Sequence, residues 1–392
     1  MKIYKYIVFF YTLTIVTGIS GILIPLRLPY KEYYIWSFLI ILLWNFTKKV
    51  SFDPKLIRLT FFTFAFYFLT LCLSILDGTS GFLQWLVFIN FTVYSVAVSR
   101  KNVFDFVVKK YLLLSKLLIC TFLLVFVADL INIISYENLH LPRGFDQGFW
   151  NKYAIKGNSD VYGIFAGFFV IMKDYVKPIF ILNNIGTYCG MSYEPHLYGF
   201  MITPAVFMLS RLPKGNYWFF AGFGTLLLAF SLTNLLAFLL AVFFLKGLKA
   251  FKFLVISGLV STYYFLYKYI TPIIAWFEAK RNSRSADDIG DTSNFFLEVK
   301  TLFGGGLWAY LDSSSSDIGW ITVVMILFVV LFLIIKSASR IKLNGAGVSI
   351  TIYLLIHSSK FPVNVFFLPF LFFLVAIIAV YDERVFQKNI TG

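Results

Sequence analysis

Apolar residues run through this chain in stretches separated by short polar connections. The stretches at 5–25, 33–46, 57–76, 82–98, 111–134, 194–210, 217–230, 233–246, 251–270, 318–336, 345–357 and 362–381 predict twelve helices. A bilayer core about 30 Å thick takes roughly 20 apolar residues per crossing helix, and most of these stretches approach that length. Two connections are long, 135–193 and 271–317. Within the first, VYGIFAGFFVIM is an apolar run of twelve, too short for a comfortable crossing. It is expected to lie at the membrane surface or to re-enter from one side, as is PIFILNNIG after it. Were both to cross, Lys173 and Lys177 would change sides.

Composition strengthens this picture. Apolar residues make up 59% of 392 positions and charged ones 14%, more apolar surface than a soluble core of ordinary composition needs. The fold class expected is an all-α polytopic integral membrane protein, a single transmembrane domain over 1–392 with two long periplasmic or extracellular loops. The amino-terminal segment has a charged start and an apolar run but no small-residue cleavage pattern, so it reads as the first helix.

The net charge of +15 is a topology signal and not a nucleic-acid one, because the basic residues sit in short runs between apolar stretches. Lys2 and Lys5 open the series. Lys48, Lys49, Lys55 and Arg58 follow, then Arg100, Lys101, Lys109 and Lys110, then Arg211 and Lys214. Lys246, Lys249 and Lys252, then Lys336, Arg340 and Lys342, then Arg384 and Lys388 complete it. They fall at every second connection, so the positive-inside rule makes that side cytoplasmic, with both termini on it and the two long loops outside.

Cys72 and Cys120 lie within apolar stretches and Cys189 stands apart, which indicates neither a disulfide nor a thiolate metal site. Phosphate-loop, HExxH, GxSxG and CxxC motifs are absent, which removes support for a cytosolic ATPase, a zinc protease or a serine hydrolase. The halves show no inverted repeat, against a secondary transporter.

The polar groups with chemical potential gather on the outer side. GMSYEPHLYGF at 190–200 sets Glu194, Pro195 and His196 at the start of a helix. Proline suits a first turn, and the helix dipole there favours an ionised Glu194, either as a plain first-turn carboxylate or as an acceptor of a proton or hydrogen bond. His196 is two residues on and points about 200° away, so the two do not share one partner.

FSLTN at 230–234 is a tight outer turn in which Ser231 or Thr233 either caps the next helix or contributes to a substrate-binding site. KRNSRSADDIGDTSN sets Lys280, Arg281 and Arg284 against three aspartates, either as a solvated loop or as a grip for phosphate, for which arginine is the best-shaped side chain. TLFGGGLWAYLDSSSSDIGW centres a glycine triplet on Gly305, permitting close backbone approach to a ligand, before Asp317 opens another helix. HSSKFP at 357–362 places His357 and Lys360 at the last outer turn, either as a satisfied polar helix end or as substrate-binding groups.

The order of these islands carries a resemblance. An EP pair opening a central helix (Glu194, Pro195), an S-x-T turn (Ser231, Thr233), a long outer loop with Ser283–Arg284, then Phe303 to Gly306 and D-x-G-W from Asp317 look like the Wzy-type O-antigen and polysaccharide polymerases. These are GT-C-like membrane glycosyltransferases, with the O-antigen ligases as the neighbouring family. The likeness covers about residues 110–380 as architecture and only short islands as motif. Where many relatives carry an arginine just before the EP pair, this chain has NNIGTYCGMS, and its nearest outer-loop arginine is Arg143 in LPRGF. The ligase histidine near SSSSDIGW is also missing.

The resemblance implies glycosyl transfer at the outer face of a bacterial cytoplasmic membrane. The donor would be a growing glycan on undecaprenyl pyrophosphate, and the acceptor one repeat unit on a second such lipid. The partners it implies are these lipids, the bilayer and a chain-length regulator protein. It implies no nucleic acid, metal or cofactor. Pyrophosphate leaves readily, so the protein need supply only cations for its developing charge and a base for the acceptor hydroxyl. Arg284, Arg281, Arg143 and Lys280 are the cations. Glu194 is the first candidate base, with Asp317, His196 and His357 behind it, and a carboxylate here could equally orient an arginine. A flippase or exporter for the same lipids is the competing class, and it predicts charges within the spans, where only Lys116 and Lys268 come near. The ligase is a third reading.

Overall fold

The computed structural model describes residues 2–17, 31–44, 51–76, 82–100, 102–131, 133, 162–165, 169–172, 187–190, 195–229, 231–245, 249, 251–252, 255–256, 345–360 and 368–380. Helix accounts for 87% of the described residues, which makes this part of the chain essentially α-helical. In chain order the helices are α1 Lys2–Thr17, α2 Lys31–Trp44, α3 Pro54–Leu76, α4 Phe82–Val98, α5 Val103–Leu130, α6 Pro195–Leu209, α7 Gly215–Ala229, α8 Leu232–Val242, α9 Gly345–Lys360 and α10 Leu368–Val380. They lie on ten of the twelve expected apolar stretches. Most of 251–270 and all of 271–336 lie outside the described residues.

The helix starts follow local chemistry. Asp53 Oδ1 accepts hydrogen bonds from the backbone N–H of Lys55 (2.8 Å) and Leu56 (3.3 Å), and Pro54 takes the first helical position, where a missing N–H costs nothing. Pro195 occupies the same position in α6. At α8 the N-cap is Ser231, with extended backbone (φ −94°, ψ 105°) but no capping bond from its side chain.

One described helix, Val103–Leu130, has both the length and the hydropathy to cross a bilayer. Its 28 residues span about 42 Å at 1.5 Å each. Of its apolar window 39% is buried, and the exposed positions form one outward face. Ile35–Trp44, Phe88–Val98 and Leu197–Leu209 are shorter apolar helices. The outward faces are strongly apolar: Phe38 and Ile35 on α2, Phe61 on α3, and Leu117, Leu124 and Leu130 on α5 are all more than half exposed. Apolar faces of this extent require lipid or protein to cover them.

Two helix groups meet at α10. In the first, α1, α2 and α4 are tied by buried polar side chains. Tyr11 donates to the Asn90 carbonyl (3.3 Å), Ser37 bonds Asn90 Oδ1, and the Thr12 and Tyr94 hydroxyls lie 3.0 Å apart. In the second, α6, α7 and α8 interlock through Phe207, Phe219, Phe223 and Phe238, ring centroids 5.1–5.5 Å apart along this series. From α10, Phe372 reaches Phe91 of α4, Phe373 reaches Phe104 and Tyr111 of α5, and Phe370 reaches Phe200 of α6.

These pairs fix helix direction. Along α5 the partners on α10 run backwards, Phe104 with Phe373 and Tyr111 with Phe370, so those two helices are antiparallel. The contacts of Arg100 with Tyr4, Trp44 and Phe52 gather the starts of α1, α3 and α5 and the ends of α2 and α4 at one end of the bundle. That end is closed by Arg100, buried with its Cζ 3.6 Å from the Trp44 ring and 4.3 Å from the Tyr4 ring. Burial lowers the pKa of this guanidinium from the ordinary arginine value, and neighbouring Tyr4 opposes the shift.

The stretch expected to lie at the surface or re-enter forms strands. β1 Tyr162–Phe165 and β2 Phe169–Met172 pair antiparallel, Tyr162 opposite Met172 and Phe165 opposite Phe169. β3 Thr187–Gly190 adds to the other side of β2, with a register shift between Val170 and Ile171. A strand of four residues extends only about 13 Å, well short of the roughly 9–11 residues a crossing strand needs.

Candidate functional site at the Pro195 end

At the opposite end of the bundle, three helix termini come together: the starts of α6 and α8 and the end of α9. Asn234, in the first turn of α8, ties two of them. Its Oδ1 accepts a 2.6 Å hydrogen bond from the Tyr353 hydroxyl of α9. Gly199 of α6 lies so close that a Cβ built there would fall inside the Asn234 side chain. Glycine is required for this approach, and it seats the first turns of α6 and α8 side by side.

His357 lies one turn beyond Tyr353 on the same face of α9, an i, i+4 spacing. It is 3% exposed. Its ring stacks on Phe200 of α6 (centroids 4.9 Å, 19° between planes) and sits 5.6 Å from the Tyr353 ring. A buried imidazole held between an aromatic face and a hydrogen-bonding tyrosine keeps one orientation. Imidazole serves as acid, base or hydrogen-bond partner near neutral pH. The α6 and α8 starts add the partial positive charge of two helix N-termini at this end, which favours an anion.

On the far side of α6, α5 supplies the wall. Tyr111 donates a 2.5 Å hydrogen bond to the Met201 carbonyl. Pro204, inside α6, has no N–H for the carbonyl four residues before it, so this turn of α6 has fewer intrahelical bonds than its neighbours. Higher up, the Tyr198 ring packs on Phe122 (centroids 4.6 Å).

Of the residues expected from sequence, His357 and Ser231 are placed at this end with described side chains, both buried. His196 lies in the first turn of α6, Thr233 in that of α8 and Lys360 at the end of α9; their side chains are outside the description. Glu194, Arg143, Lys280, Arg281, Arg284, Gly305 and Asp317 lie outside the described residues.

Sequence reasoning did not single out Asn234, Tyr353, Phe200 or Gly199. An asparagine inside an apolar helix, and a tyrosine four residues before a histidine, were the available signals. Among the described residues, no group of three or more His, Cys, Asp or Glu side chains is placed to hold a metal ion. Comparison with known proteins gives no match: no family, no curated protein and no solved structure matches this chain.

Proposed function

We propose that the chain is a polymerase of lipid-linked oligosaccharide repeat units. It would transfer a growing glycan from undecaprenyl pyrophosphate to a repeat unit on a second such lipid, at the outer side of a bacterial cytoplasmic membrane. In this reading the twelve apolar stretches cross the bilayer, both termini are cytoplasmic, and the Pro195 end faces outward. Arg284, Arg281, Arg143 and Lys280 neutralise the departing pyrophosphate. Glu194 activates the acceptor hydroxyl or orients one of those arginines.

The observation that carries the reading is the convergence at the Pro195 end. Three sequence islands far apart in the chain, the EP helix start, the Ser231–Thr233 turn and the HSSK segment, meet there through Gly199, Asn234, Tyr353, Phe200 and His357. Unrelated connecting turns would have no reason to share a glycine-tight, hydrogen-bonded seat. The outward apolar faces of α2, α3 and α5 support the membrane setting, and the resemblance in island order supplies the reaction class.

In cells the reading predicts that Glu194→Ala or Arg284→Ala abolishes long polysaccharide and leaves single-repeat lipid intermediates in the outer leaflet. Normal chain-length ladders in both variants would sink it. Intermediates trapped in the inner leaflet of a deletion strain would point to the flippase instead.

A further inference from the structure

The segment leading to Glu194 is anchored before it gets there. β3 ends at Gly190, and its Tyr188 is fully buried against α5: the hydroxyl donates to Asp129 Oδ2, near the end of α5, and the ring packs on Phe122 and Phe126, both centroids at 5.8 Å. Two residues on, Gly190 has a left-handed φ of +63°, and a Cβ there would lie 2.6 Å from the Tyr198 ring. Tyr198 is in the first turn of α6, and its ring packs on the same Phe122. One aromatic side chain of α5 therefore holds both the strand before Glu194 and the helix after it. Only residues 191–194 separate β3 from α6.

We propose that Tyr188 and Asp129 are positioning residues, a latch that fixes the start of α6 and with it the location of Glu194. The role in turnover rests on the polymerase reading; the mechanical role does not. A tyrosine hydroxyl on a carboxylate is a charge-assisted hydrogen bond, stronger than a neutral one. In the helix the amides of 199–202 bond to the carbonyls of 195–198, so loosening that first turn exposes them to exchange. Near-attack geometry is lost with displacements of about 1 Å, so a loose Glu194 lowers turnover while acceptor binding elsewhere is unaffected.

The test uses the full chain in nanodiscs, comparing wild type with Tyr188→Phe, Asp129→Leu, their double variant and Asp129→Asn. Hydrogen–deuterium exchange in the peptide over 195–202 should speed up roughly fivefold or more in Tyr188→Phe and Asp129→Leu, the scale of one lost buried hydrogen bond. Exchange over 215–229 should stay unchanged. Turnover should fall by a similar factor at constant acceptor KM. The double variant should be no worse than either single, and Asp129→Asn, which keeps an acceptor oxygen, should recover most of the Asp129→Leu loss.

Unchanged exchange over 195–202 in Tyr188→Phe, or additive losses in the double variant, overturns the latch. If wild type makes no polymer yet exchange responds as stated, the latch stands and the polymerase reading fails. If wild type polymerises and neither exchange nor turnover responds, the latch alone fails.

Discussion

Asn234 shows how much of the candidate site hangs on single atoms. Its side chain accepts from Tyr353 and fills the space that any residue larger than glycine at 199 would claim. Interhelical hydrogen bonds in membrane proteins are worth only about 0.6 kcal/mol on average, whereas overpacking a tight contact costs about 1–3 kcal/mol. The steric term therefore dominates. Gly199→Ala should lower the thermal midpoint in detergent more than Tyr353→Phe does, and the double variant Gly199→Ala/Asn234→Ala should recover most of that loss by vacating the space. A Gly199→Ala protein as stable as wild type would show that the first turns of α6 and α8 are not seated as described.

At the scale of elements, the helices were legible because long apolar stretches with polar breaks admit little else, and the Asp53–Pro54 and Pro195 starts were readable from side-chain chemistry. The sheet was not. VYGIFAGFFVIM is apolar throughout, and a short run without alternation does not tell strand from helix. The pairing of β2 with β3 joins residues fifteen or more positions apart, which no local pattern encodes. In the sequence Arg100 is one more basic residue in a connection, yet it packs against α1 and α2 through Tyr4 and Trp44. Its planar guanidinium stacks where an ammonium on a flexible stem cannot. Arg100→Lys keeps the charge and should still lose stability, by up to about 2 kcal/mol, the size of a desolvated cation–π contact. Thermal unfolding in detergent reads this directly, and an unchanged midpoint would mean that charge alone matters at this position.

For the whole molecule, the alternation of basic and apolar segments gave helix direction, and parity alone put Ser231, His196 and His357 on one side. Contacts at the Pro195 end then bring together the three islands that hold them, Phe200 stacking on His357 and Gly199 lying against Asn234. Parity could not have told which of the termini on that side touch, because touching depends on Gly199 and on the Phe200, Tyr353 and Asn234 side chains within apolar runs. The cationic loop, with Arg281 and Arg284, lies outside the described residues and belongs to the polymerase reading only. The most direct test of the central claim is reconstitution of the purified chain with one synthetic repeat unit on undecaprenyl pyrophosphate, resolving products by length. The polymerase reading predicts lipid-linked products of two or more repeats, lost in Glu194→Ala. A folded, membrane-inserted wild-type protein that returns only the single repeat contradicts it.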